Sequence, residues 1–126
     1  GHRRPELEEL VAHTCTVLGL EDWEFEQQAR RAVPRRARWI ITWLWVRMFD
    51  GTQADIARTL KAYSSRVSSW YGLAVRNLPD LEPHMDDVLR SLPDVPLLSS
   101  WKVTNRIHYH LSTDEELSAK SIERPS

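Results

Sequence analysis

Apolar residues recur at helical spacing along most of the first 92 positions of this chain, and then the pattern changes. Between Pro5 and Leu18 they fall at Leu7, Leu10, Val11, Cys15 and Leu18, with Thr14 on the same stripe. That spacing predicts a helix. Pro5 and three glutamates stand at its start, where the helix dipole favours negative charge, and Gly19 stops it. Residues 21–27 read as a short second helix carrying Trp23. Residues 29–38 hold five arginines around Pro34 and read as a basic loop entering the next helix. That helix, from about Arg36 to Phe49, is apolar nearly all the way round, as expected of a buried central helix. Its three tryptophans, Trp39, Trp43 and Trp45, are many for a small core. Trp39 or Trp45 is therefore a candidate for a partner interface, or for cover by the C-terminal tail. Asp50-Gly51 ends the helix, with Gly51 as its cap.

Residues 52–76 carry the most informative pattern. Ile56, Ala57 and Leu60 mark the inner face of one short helix, and Val67 and Trp70 that of a second. Small Ala57 sits where the two would cross. Thr52 is a candidate N-cap before Gln53, and Ser64 and Ser65 open the second helix with capping chemistry. Lys61 occupies the turn position most often held by glycine, so a left-handed backbone is expected there. The outer face of the second helix shows Arg66, Ser68 and Ser69, which are polar and mostly short. This is the pattern of a helix-turn-helix, whose second helix can enter a DNA major groove about 12 Å wide. The plain alternative is two packed helices of an ordinary bundle.

Beyond Asn77 the segment Pro79–Pro83 reads as a break, and His84–Leu92 as a last short helix with Met85, Val88, Leu89 and Leu92 facing the core. Pro93 and Pro96 mark a boundary. Trp101–Leu111 alternates enough for a strand or an extended arm, and residues 112–126 read as polar and disordered. The expected architecture is all-α. It is a five- to six-helix bundle over residues 5–93 containing the helix-turn-helix, followed by an extended C-terminal arm over residues 94–126.

Composition narrows the class. At 126 residues, 41% apolar and 28% charged, the chain fits one soluble globular domain. No apolar run reaches the length of a membrane span, and no signal-peptide pattern is present. The start at Gly-His rather than Met reads as a tag scar or an excised fragment. The single Cys15 forms no internal disulfide, which fits a buried thiol in a reduced cytoplasmic setting. The net charge of −1 hides a partition. Residues 1–29 hold two Arg and seven acids, a net of −5. Residues 30–76 hold ten bases and two acids, a net of +8, and residues 77–126 hold five bases and nine acids, a net of −4. Positive charge is thus concentrated on the helix-turn-helix and its approach, the electrostatic footprint of phosphate binding.

The order of elements resembles domain IV of the bacterial replication initiator DnaA, in the Trp-repressor-like helix-turn-helix group. The resemblance covers about residues 8–92. It rests on Val11-Ala12 through Leu18-Gly19-Leu20-Glu21-Asp22, on the basic segment 30–38 before the helix 39–49, and on Asp55-Ile56-Ala57-Arg58 where the family has a Glu-Ile-Gly-Arg type of sequence. A terminal helix, 84–92, completes it. The resemblance implies that Arg36 or Arg38 matches the arginine that enters the minor groove, and that Lys61–Arg66 matches the turn and the start of the recognition helix. There the chain departs from the family. Tyr63-Ser64-Ser65-Arg66 replaces Asp-His-Thr-Thr, so a different DNA sequence should be read. No nucleotide-binding loop of the GxxxxGK type is present.

The expected function is sequence-specific binding of double-stranded DNA, as a bacterial, phage or mobile-element regulator on the nucleoid. Tyr63, Ser64, Ser65, Arg66, Ser68 and Ser69 are the candidates for base or phosphate contact. Thr52, Gln53 and Lys61 would touch phosphates, and Arg36 and Arg38 would reach phosphate or an adjacent A·T-rich minor groove. Two alternatives stand beside this: a protein-interaction module of antiactivator type, and the DNA-binding domain of a larger initiator or transposase. A homodimer through the C-terminal arm or the Trp-rich helix would read two half-sites about 34 Å apart. The other possibility for the arm is that Trp101 and Ile107 fold back over the 39–49 helix. His108 and His110 share a strand face but lack a second ligand pair, so no metal is expected. No cofactor is expected and no catalytic signature is present.

Overall fold

The apolar central helix is the axis on which the other elements pack. The computed structural model describes residues 4–104, which form α1 (Leu7–Val17), α2 (Asp22–Gln27), α3 (Ala32–Trp43), α4 (Gln53–Leu60), α5 (Ser64–Arg76), α6 (Leu78–Ser91) and α7 (Leu98–Thr104). A π-helical turn, Leu44–Met48, continues α3 without a break. The described residues contain no strand, and none of their helices is long and apolar enough to cross a membrane. The fold is all-α, as expected.

α3 packs most extensively against α5, while α1 lies across α6 and α3, and α4 rests on α5 and α1. Ala37, Ile40, Ile41 and Leu44 are fully buried at the centre, with Leu10, Ile56, Val67, Met85 and Val88 closing around them. α3 begins four residues earlier than its hydrophobic pattern predicts. Pro34 is its third residue, and the first-turn N–H that proline lacks would have had no helical partner there. The segment read as a basic loop is therefore helical from Ala32, which fixes Arg35, Arg36 and Arg38 on the helix, while Arg30 and Arg31 lie in the turn before it.

The tryptophans of this helix are not spare surface. Trp39, Trp43 and Trp45 are all buried. Trp43 meets Trp101 of α7 edge to face, with ring centroids 5.9 Å apart. The Arg4 guanidinium lies 4.5 Å from the Trp45 ring. The segment around Trp101 is helical, not extended, because Leu98 is buried and its N–H donates to the Asp86 carboxylate at 2.8 Å. Lys102 pairs with Glu82 on α6. Trp101 thus folds back within its own chain, and residues 98–104 belong to the helical core. Ile107, His108, His110 and the rest of the anticipated arm lie outside the described residues.

The break anticipated at residues 79–83 is absent. α6 runs unbroken from Leu78 to Ser91 with Pro83 inside it. An interior proline costs about 3 kcal/mol relative to alanine. Leu78, Leu81, Met85, Val88 and Leu89 are buried on the opposing stripe. Burying five such side chains contributes about 1.5–3 kcal/mol each and outweighs that cost.

Asp50 carries the left-handed turn, with φ of 56°, while the Gly51 N–H caps the central helix by donating to Trp45 O at 2.7 Å. Gly51 also lies under the Trp45 indole, and a Cβ built there would stand 2.1 Å from Nε1. Gly72 differs. It sits inside α5 with ordinary helical backbone, and a Cβ there would meet nothing within 4 Å. Gly72→Ala is therefore expected to raise stability by about 0.5–1 kcal/mol, through reduced unfolded-state entropy. A urea denaturation midpoint that falls would contradict this.

Candidate nucleic-acid interface

α4 and α5 form a tightly specified pair. Thr52 caps α4, accepting the Asp55 N–H on Oγ1 at 3.1 Å, while the Thr52 N–H donates to Asp55 Oδ2 at 3.1 Å. The same Oδ2 accepts the Trp45 indole N–H at 3.0 Å, and Arg58 donates to Oδ1 at 2.8 Å. One carboxylate thereby joins the α4 start to the central helix. These donors, foremost the Thr52 N–H and then the Trp45 indole, hold the Asp55 carboxyl at about 2, well below its usual range. A depressed folded pKa means that the associated stability is present above about pH 4, the unfolded range, and is lost as pH falls through 2. Wild type is expected to lose more melting temperature between pH 4 and pH 2 than Asp55→Asn, which lacks this titration. Parallel losses in the two proteins would refute the role.

α4 ends at Lys61, whose φ of 54° and ψ of 51° are left-handed, as expected for a residue in the glycine position. Three residues, Lys61–Tyr63, make the connection before α5 starts at Ser64. Ile56, Val67 and Trp70 are buried, and Ala57 and Leu60 are half-buried, so the anticipated inner faces do meet the core. With Val67, Trp70 and Ala74 directed inward, the opposite side of α5 is left to solvent.

That outer side carries Ser64, Ser65, Arg66, Ser68 and Ser69, all exposed, with Tyr63 at the N-cap 82% exposed. Ser68 Oγ donates to Gln53 Oε1 at 2.8 Å, bridging α5 and α4. Both residues therefore help set the angle of the pair. Exposed Thr52 has its hydroxyl oxygen in the cap. Lys61 is exposed at the turn.

The two arginines of the approach segment fall differently from expectation. Arg38 is buried, donating to Pro34 O at 3.1 Å and Phe25 O at 2.7 Å, with its guanidinium 4.1 Å from the Phe25 ring. Burial lowers its pKa. It is an internal strut between α2 and α3, turned inward by its place on the buried stripe of α3, and it does not reach a surface phosphate. Arg36 is exposed but lines a groove with Asp80 and His84, apart from the outer side of α5. Arg30 and Arg35 are the residues that share a cleft with Lys61, Tyr63 and Arg66. For Arg35 the sequence signal is the helical register of 32–43, which places it three residues from Arg38 and four from Trp39; Arg30 lies in the turn before α3, where register gives no signal.

Cys15 is buried, and its thiol is pushed up to about 11, chiefly by burial and then by Asp22. It is a packing group without nucleophilic character. His13 bonds Ser91 Oγ at 2.9 Å, and no group of three or more metal-ligating side chains converges among the described residues. No family model matches this chain, and no curated protein or solved structure matches it either, so the roles of these residues rest on their geometry and chemistry.

Proposed function

We propose that this protein binds double-stranded DNA in a sequence-dependent manner, as a transcriptional regulator, with α4 and α5 acting as a helix-turn-helix. One observation carries the reading: α5 presents an exposed polar side, Tyr63 to Ser69, while its other side is anchored in the core beside a cation-lined cleft. A helix so held can lie in a major groove without losing its own packing. In this reading Ser64, Ser65, Arg66 and Ser69 face base edges, Lys61 and Thr52 meet phosphates, and Gln53 with Ser68 fixes the approach angle. The resemblance to an initiator's DNA-binding domain and the +8 segment agree with it. Nucleoid location in the cytoplasm follows from the same proposal.

Selection from a random duplex library, followed by sequencing, tests it. An enriched site is expected, and its repeat spacing would report the oligomer. Arg66→Ala should then lose about 1–3 kcal/mol of discrimination at one base position, as for a bidentate arginine on guanine. A uniform loss over all sequences would make Arg66 a phosphate contact instead. Half-exposed Trp23 on α2 favours a second reading, a protein-interaction module. The buried Trp39, Trp43 and Trp45 no longer support that alternative, which an unenriched library would favour.

A further inference from the structure

The cleft beside the start of α5 differs in composition from its neighbours. It encloses about 590 Å³ and is bordered by Arg30, Arg35, Lys61 and Arg66 together with Trp39 and Tyr63, and no carboxylate lines it. Three neighbouring grooves contain acids: Glu8 and Asp55 in one, Asp22 and Glu26 in another, and Asp80 in a third, which shares Arg35 and Trp39 with the cleft. Five cations line the cleft; Arg38 is buried, and the other four are exposed, with no salt-bridge partner among the described residues. Like charges gathered around one concavity raise its affinity for anions. The aromatic lining adds a second preference. The Arg35 guanidinium is 5.4 Å from the Trp39 ring, and Tyr63 stands free in solvent beside it. Trp39 is 6% exposed, and its indole N–H has no acceptor among the described residues. A buried donor left unpaired is rare, and Trp39 lines both this cleft and the groove that holds Asp80.

We propose that this cleft seats a nucleoside phosphate, the exposed cations taking the phosphate and the exposed Tyr63 ring taking the base. The volume lies within the range of small-molecule sites. The phosphate has two sources: a free mononucleotide, which also offers its ring, or a duplex bound along α5, whose paired and stacked bases leave only backbone phosphates to the cleft. Only the second rests on the DNA reading.

Calorimetric titration of the full chain with AMP, with inorganic phosphate and with a duplex distinguishes them. The comparison protein is Arg30→Ala/Arg35→Ala, whose melting temperature should fall by only a few degrees, through loss of the Arg35 contact with the Trp39 ring. AMP is expected to bind at least about tenfold tighter than phosphate, and the double variant to weaken it about tenfold. If AMP does not bind, the duplex source requires the variant to lower the salt slope of duplex binding by about two, at about 0.9 per phosphate contact, with the selected sequence unchanged. AMP binding without any duplex binding would sustain the cleft and overturn the DNA reading. Duplex binding with an unaltered slope, and no AMP binding, would overturn the cleft and spare the DNA reading. AMP and phosphate binding equally would overturn the ring contact.

Discussion

Arg38→Ala is expected to lower the stability of the fold by about 2–4 kcal/mol, one of the largest effects available outside the apolar core. Its guanidinium satisfies two buried carbonyl groups, of Pro34 and Phe25, and lies over the Phe25 ring. Truncation leaves the Phe25 carbonyl without its donor, strips the second donor from Pro34 O, which keeps its helical bond, and opens a void between α2, α3 and α5. Hydrogen bonds to a charged group are worth about 1.5–3 kcal/mol, and the lost stem packing adds to that. Lysine should not restore the loss, because it cannot reach two divergent acceptors with a planar fork. Urea denaturation of the two variants measures both values. A variant of unchanged midpoint that binds duplex more weakly would return Arg38 to the DNA surface.

Gly51→Ala is expected to cost about 2–4 kcal/mol. The new methyl would stand 2.1 Å from Nε1, 2.3 Å from Cε2 and 2.4 Å from Cδ1 of Trp45. That ring is buried, with its N–H committed to Asp55. Overpacking of this kind costs about 1–3 kcal/mol, and displacing the indole also removes its hydrogen bond. The consequence reaches α4, because the displaced ring no longer anchors the carboxylate that caps that helix. Trp45→Leu should absorb much of the effect, so the double variant is expected to be clearly less destabilised than the sum of the singles. Strict additivity would mean that the clash is relieved elsewhere.

Much of the helix pair was legible because each feature is local. The Thr52 cap, the buried Ile56, Val67 and Trp70, and the strained Lys61 all follow from periodicity and capping chemistry within 20 residues. What escaped depends on contacts distant in sequence. Pro34 and Pro83 looked like breakers, yet one is harmless in a first turn and the other is outweighed by burial against α1 and α3. Trp101 resembled part of a strand until Trp43 supplied its partner. The basic segment stands out by its charge, but charge does not say which arginine faces inward. Helical register decides that, and register depends on where α3 begins. Asp55 was visible as a motif residue, whereas its bond to Trp45 required the π-helical turn that brings Gly51 and the α4 start beneath the indole.

The central claim is that the outer side of α5, with the adjacent cations, meets the phosphates and bases of a duplex. Its most direct test is the equilibrium affinity for a selected duplex over a series of salt concentrations. Four cations, Arg30, Arg35, Lys61 and Arg66, border this side of the molecule. If Arg30, Arg35 and Lys61 meet phosphates while Arg66 reads a base, log affinity should fall against log salt with a slope of about −2.7, and Arg66→Ala should change which sequences are preferred. A flat salt response with no preferred sequence would contradict the account.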